Sequence, residues 1–346
     1  MSRRALVLAV AGFLTVLLAA VAALLPVPYV ALRPGPTTNT LGSVGGKSLI
    51  QISGHPSYPD KGHLDLVTVS VLGGPAQHLD LVSAFTGWLD HSIAVVPEET
   101  VYPKGESAQQ AEQESAAEMS QSQQSATTAA LRELGIPVTT HVVVASLAPS
   151  SPSKGKLRAG DRIVSVDGTA VDDELALRRA VTAVSPGTPV RLAVQRDGTS
   201  LQTTVTTAKG PAGTAVIGVV PQEKASYPFT VSFGLRDVGG PSAGMMFALG
   251  IIDKLTPGSL TGGRYIAGTG TIDDTGTVGA IGGITQKMIG ARRNGATVFL
   301  SPAANCATAA ATRPDGLRLV KVRTLADAVK ALDDLRAGRT ASLPAC

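Results

Sequence analysis

The sequence predicts an α/β (α+β) protein with a mainly β segment in its middle and one N-terminal transmembrane helix. Three observations lead there. An uncharged apolar run fills residues 5–25 behind Arg3 and Arg4. Short β-type runs punctuated by Asp-Gly turns occupy residues 134–208. Beyond residue 229, strand-like and helix-like apolar segments alternate around glycine-rich turns.

As a helix, residues 5–25 would span about 31 Å, enough for a bilayer core of roughly 30 Å. The arginines on the N-terminal side predict a cytoplasmic N-terminus, with everything after Pro26 outside the cytoplasm. The competing reading is a cleaved signal peptide. Its small-x-small triplet Ala20-Val21-Ala22 lies inside the apolar run, and Tyr29 spoils a later site ending at Ala31. Cys306 and Cys346 are the only cysteines. In an exported domain they read as a disulfide that pins the C-terminal tail; two unpaired buried thiols would suit the cytoplasm.

The 346 residues leave room for two modest domains beyond such a segment. Aromatics make up only 3% against 44% hydrophobic residues, so Val, Leu, Ile and Ala must build the cores. Glycine and proline are abundant, which favours tight turns and short elements. The net charge of +4 is dispersed, with no basic block interleaved with aromatics, which argues against a nucleic-acid partner.

Residues 26–47, rich in Pro, Gly and Thr, read as an extended linker. Strand-like segments follow at 48–53 and 62–72, the second ending at Gly73-Gly74-Pro75. Leu79, Val82, Phe85 and Leu89 then recur at helical spacing. Residues 106–134 are polar and Ala/Gln/Glu-rich, which predicts a long, mostly solvated helix or a partly disordered stretch, ended by Gly135 and Pro137. Within 134–208, β runs flank a short amphipathic helix at 174–184. Residues 209–226 read as a connection, and FTVSFGL from Phe229 as a strand.

The chemistry concentrates after that strand. Asp237-Val238-Gly239-Gly240-Pro241-Ser242-Ala243-Gly244 precedes the apolar helix MMFALGIIDKL. Proline suits the first helical position, which would make Gly240 the N-cap and put Ser242 in the first turn. There the amides of Ser242 and Ala243 lack intrahelical acceptors. A hydroxyl so placed can attack a carbonyl while those amides stabilise the oxyanion. The plain alternative is a serine in a glycine-rich turn that merely starts a helix. Downstream, RYIAGTGTIDDTGTVGAIGGITQKMIGARRNGA reads as a strand carrying Thr269, a turn, a Gly282-Gly283 bend and a helix from Thr285 with Asn294-Gly295 as C-cap. Lys287 falls in that helix's first turn, where the dipole disfavours a cation. To serve as a base near pH 7 its pKa must fall about three units from roughly 10.4, worth about 4–5 kcal/mol. The plain alternative is a surface lysine.

GGPSAG before an apolar helix, followed by TGTIDDTGTVGAIGGITQK, resembles the proteolytic domain of Lon and Lon-like peptidases over about residues 226–335. The resemblance implies Ser242 as nucleophile, Lys287 as general base 45 residues on, and Thr269 as the threonine that hydrogen-bonds the lysine. It also makes residues 62–70 look like the domain's first strand, so that the domain would be discontinuous. One departure stands out: many Lon proteins carry an Asp immediately before GPSAG, where this chain has Gly239. The intervening region resembles a PDZ domain, with Leu134, Gly135 and Ile136 as its carboxylate-binding loop and LAPSSPSKGKLRAGDRIVSVDG as its body. Such a domain adds an extended peptide as a strand. Together these segments resemble the bacterial PDZ-containing Lon-like proteases.

Three partial motifs are set aside. Gly45-Gly46-Lys47-Ser48 lacks the phosphate-loop glycine, since position 41 is Leu41, so no nucleotide is expected. Ser151-Pro152-Ser153-Lys154 has no S-D-N or K-T-G companion. The histidines at 55, 63, 78, 91 and 141 form no ligand spacing, so neither a metal nor another cofactor is expected. The expected organisation is an anchor at 1–25, a linker at 26–47, the first part of the Lon-like domain with the polar helix at 48–133, a PDZ domain at 134–208, the Lon-like proteolytic domain at 209–338 and a tail at 339–346. The expected function is an ATP-independent, membrane-anchored serine endopeptidase acting on extracytoplasmic or membrane-associated polypeptides. Its partners would be peptides, proteins and the lipid bilayer, and a homo-oligomer stays open. The competing function is a catalytically inactive anchored scaffold whose PDZ domain binds peptide tails.

Overall fold

The computed structural model describes residues 3–23, 25–59, 61–235 and 238–346. The chain divides into two compact units, one built from residues 1–136 and 229–346, the other from 137–228.

Helix α1 spans Arg3–Ala23. The expectation of a membrane anchor is corrected here: no helix among the described residues is long and apolar enough to cross a membrane. Leu25 lies outside the helix and Arg3 and Arg4 occupy its first turn. Among the described residues of α1, 5–23 are uncharged, about 28 Å at 1.5 Å per residue against a core of roughly 30 Å. The bilayer partner, the single-pass topology and the extracytoplasmic placement rested on that anchor and fall with it.

The expected linker at 26–47 is also corrected, because it contains the strand β1 (Tyr29–Asn39), with Val30 and Ala31 fully buried. Its Pro34-Gly35-Pro36 step fits through a register shift between Pro34 and Thr37, where Gly35 lies against Thr68 too closely for any side chain. Then come β2 (Ile50–Ser53), β3 (His63–Leu72), α2 (Leu81–Leu89) and β4 (Ala94–Pro97). Helix α3 (Ala108–Glu133) starts on a capping box between Ser107 and Gln110. Its N-terminal half is largely solvated as expected, but Met119, Ser122 and residues 125–131 are buried. Small side chains let this polar helix pack closely.

The second unit holds β5 (Thr139–Leu147), β6 (Arg162–Val166), α4 (Glu174–Thr182), β7 (Pro189–Arg196), β8 (Thr199–Thr206) and β9 (Val219–Ser226). Its antiparallel sheet runs β8-β7-β6-β5-β9, so β9 is an edge strand. Val142, Ile163, Leu177, Val181, Val190, Leu192 and Ile217 make a core of its own. The two Asp-Gly turns place Asp167 and Asp197 at positive φ, as a two-residue hairpin requires. Residues 209–226, expected as a connection, thus include a full strand of this unit.

The chain returns to the first unit with β10 (Thr230–Phe233), α5 (Gly244–Leu255), β11 (Tyr265–Gly268), β12 (Thr271–Ile272), β13 (Val278–Gly279) and α6 (Ile284–Arg293). It ends with β14 (Val298–Pro302), α7 (Cys306–Ala311), β15 (Arg318–Val322) and α8 (Leu325–Arg336). The main sheet is mixed, in the order β15-β14-β11-β3-β1-β4, parallel as far as β3 and antiparallel beyond. Alternation along β11 and β14 sorts the helices. Ala267 and Phe299 pack with Met288 and Ala291 of α6, whereas Gly268 faces Met246 of α5. Helices α5 and α6 therefore cover opposite faces of the sheet.

Candidate active site

The two faces meet where β11 stops. Parallel pairing between β11 and β3 ends at Gly268 and Leu66, while β3 continues to Leu72 with only β1 beside it. Thr269 is the first residue past β11. Its amide donates to the Leu300 carbonyl at 3.3 Å, which ties it to β14.

Ser242 arrives from the α5 side. The helix begins at Gly244 with Ala243 as N-cap, so Ser242 lies just before it rather than in its first turn as expected. Gly240 takes positive φ, and Arg236 and Asp237 lie outside the described residues. Helix α3 holds this turn. The Ser115 carbonyl accepts from the Gly240 amide at 3.1 Å, and Ser122 Oγ donates to the Pro241 carbonyl at 2.9 Å. A Cβ on Gly239 would collide with the Ser115 side chain, so the Asp common before GPSAG in Lon proteins would have to displace Ser115 here. The Ser242 carbonyl accepts from the Gly270 amide at 2.9 Å and from Thr269 Oγ1 at 3.0 Å. Among the described residues, the Ser242 and Ala243 amides donate to no acceptor.

Lys287 arrives from the α6 side. Gly283, in the left-handed conformation, caps that helix, and a Cβ there would come 2.6 Å from Val69. Lys287 is 4% exposed, and its Nζ donates to Ser242 Oγ at 2.9 Å and to Thr269 Oγ1 at 3.3 Å. No carboxylate among the described residues pairs with it. Burial lowers its pKa from 10.5 to about 8. The three residues form one connected set: Thr269 accepts from the lysine and donates to the serine's carbonyl, fixing both against the end of β11. A cleft of about 710 Å³ opens over Ser242 and Lys287, lined also by Val67, Val69 and Val71 of β3 and by Ile281 and Gly282.

Leu134, Gly135 and Ile136, expected as a peptide-binding loop, instead close α3. The Ile136 amide donates to the Leu131 carbonyl at 2.8 Å, and Gly135 takes positive φ beside it. They fall in the first unit. In the second unit, a groove of about 430 Å³ lies between α4 and the start of β9, lined by Leu177, Val181, Ala215, Ile217 and Pro221. The sequence signal for it is the apolar run Ala215-Val216-Ile217-Gly218-Val219, which lies within the expected connection. Cys306, opening α7, is disulfide-bonded to the C-terminal Cys346.

Comparison with known proteins gives the class. Residues 230–332 match the Lon protease (S16) C-terminal proteolytic domain, and residues 117–207 match a PDZ domain. A Lon-type proteolytic domain, the catalytic domain of a serine-type endopeptidase, is therefore present beside a PDZ domain. Among curated proteins, the chain is similar to a DegP-like probable periplasmic serine endoprotease of Halomonas elongata, 33% identical over 124 residues. It is also similar to a Lon protease of Mesomycoplasma hyopneumoniae, 44% identical over 66 residues. These matches cover 32% and 19% of this chain, and the chain spans only 26% and 7% of those proteins. Among solved structures, the PDZ domain of an SdrC-like protein of Listeria monocytogenes is 23% identical, with a TM-score of 0.22 over 23% of this chain and 85% of that one. A solution structure from Geobacillus thermodenitrificans is 28% identical, with a TM-score of 0.21 over 23% of this chain and 94% of that one.

Proposed function

We propose that this protein is a nucleotide-independent endopeptidase in which Ser242 and Lys287 form the catalytic dyad. The carrying observation is the 2.9 Å contact between Lys287 Nζ and Ser242 Oγ inside a buried site that opens onto a cleft. A base must lie within hydrogen-bond reach of the proton it takes, and this one does. Neutral Lys287 takes the Ser242 proton as Oγ attacks the scissile carbonyl. The ammonium so formed then protonates the departing amine, leaving an acyl-enzyme that water hydrolyses by the same route in reverse. Thr269 orients the lysine. The amides of Ser242 and Ala243, free of acceptors among the described residues, are the proposed oxyanion donors.

The exposed edge of β3 beyond Leu66 supports an extended polypeptide as substrate, since its main chain can add there as a strand. Unfolded segments and exposed tails satisfy that requirement. The edge strand β9 and its apolar groove against α4 support peptide binding by the second unit.

A fluorophosphonate probe and an internally quenched unstructured peptide test this reading. The wild type should be labelled at Ser242 and cleave the peptide, and Ser242→Ala and Lys287→Ala should each lose cleavage while keeping the fold. Retained cleavage in either variant sinks the dyad. An unlabelled, inactive wild type that still binds peptide tails would identify a scaffold instead.

A further inference from the structure

Asn305 stands outside the dyad but touches the loop that delivers it. It ends the short helical turn after β14 and immediately precedes Cys306, which the disulfide to Cys346 holds in place. Its carboxamide is used twice on one residue. Oδ1 accepts from the Ile281 amide at 2.9 Å, and Nδ2 donates to the Ile281 carbonyl at 2.9 Å. The pair reproduces the reciprocal bonding of a strand partner, and only a side-chain amide offers donor and acceptor in that arrangement. Among the described residues, the main chain of Ile281 and Gly282 has no other hydrogen-bond partner.

That stretch joins β13 to α6. Ile281 and Gly282 line the cleft, Gly283 makes the left-handed turn that opens α6, and Lys287 follows one turn later. We propose that Asn305 is a positioning residue: by clamping Ile281 it fixes where α6 begins, and so aims Lys287 at Ser242 and sets the width of the cleft. The proposal rests on the dyad reading above. It adds that the lysine's placement depends on a side chain from a different part of the chain. Losing the clamp would leave the Ile281 amide and carbonyl without partners, and the turn would relax toward solvent.

The test compares wild type with Asn305→Ala and Asn305→Asp. The aspartate is nearly isosteric and keeps the acceptor, but it has no donor for the Ile281 carbonyl. Three readouts are taken: kcat and KM on the quenched peptide, Tm, and the Lys287 titration followed by NMR of ¹³Cε-lysine, assigned by its absence in Lys287→Met. A misplacement near 1 Å costs about a hundredfold in rate, so Asn305→Ala should lose about that much in kcat. KM should change by less than about threefold, because the loss lies in the chemical step. The Lys287 midpoint should move up toward that of an exposed lysine in both variants, with Tm lowered by only a few degrees. Unchanged kcat and an unchanged midpoint would overturn the proposal. So would a kcat loss that tracks Tm while the midpoint stays put, since that is the mark of a purely structural residue. If the wild type neither cleaves nor is labelled, the dyad reading fails, and the Lys287 titrations still decide whether Asn305 positions the lysine.

Discussion

Lys287 is buried with hydroxyl partners only among the described residues, and the resulting depression of its pKa has consequences for both activity and stability. The neutral amine is the base, so kcat/KM should rise about tenfold per pH unit below about 8 and level off above it. A pH–rate profile flat from pH 6 to 9 would contradict this. Lys287→Arg should be inactive across the whole range, because a guanidinium stays charged. For stability the sign is equally definite. The folded pKa lies below the unfolded one, so between about 8 and 10.5 the unfolded chain binds more protons and stability rises with pH. Thr269→Val removes both the lysine's second acceptor and a donor to the Ser242 carbonyl, at nearly constant volume. It should lower kcat by about ten- to a hundredfold while the probe still labels Ser242, as the loss of these orienting contacts would.

At the scale of elements, α3 is the buttress of the nucleophile's turn. It meets the turn through Ser115 and Ser122, residues that look like ordinary helix surface in the sequence. Gly239 is where the two approach too closely for a side chain. Gly239→Ala should therefore destabilise the first unit by about 1–3 kcal/mol, as overpacking does, and depress kcat as the turn shifts. Adding Ser115→Ala removes the colliding hydroxyl. The double variant should recover part of both losses, so a strictly additive double-mutant cycle in urea unfolding would refute the contact.

For the whole molecule, two separate cores predict two separable transitions. Residues 137–228 carry their own sheet and core and should fold cooperatively when expressed alone. The disulfide closes a loop across a sequence separation of 40 at the C-terminal end of the first unit. Replacing Cys306 and Cys346 by serine should destabilise that unit by about 2–4 kcal/mol. By scanning calorimetry the first unit's transition should move down while that of residues 137–228 stays fixed. Movement of both together would show that the units unfold as one.

The sequence by itself determined the Ser242 and Lys287 motifs, the threonine between them and the β character of the middle segment. These are local signals, carried by turn glycines, helix starts and alternation that survive in a one-dimensional string. What it misjudged depended on partners far away in the chain. Residues 26–47 read as a linker because they are rich in Pro, Gly and Thr, yet Tyr29–Asn39 form an internal strand that takes up its prolines at a bulge against β3. The polar helix read as mostly solvated, which holds for its N-terminal half, whereas the small side chains of residues 125–131 are buried once α5 packs beside them. Leu134-Gly135-Ile136 read as a peptide loop, but the amides of Gly135 and Ile136 are spent capping α3. The apolar run at 5–25 read as a membrane span, but no helix among the described residues is long and apolar enough to cross a membrane. Tertiary structure alone decided that Lys287 is buried, that its amine reaches Ser242, and that Asn305 clamps the loop between them. Depth of burial and distances between remote residues come from packing, which no local pattern records.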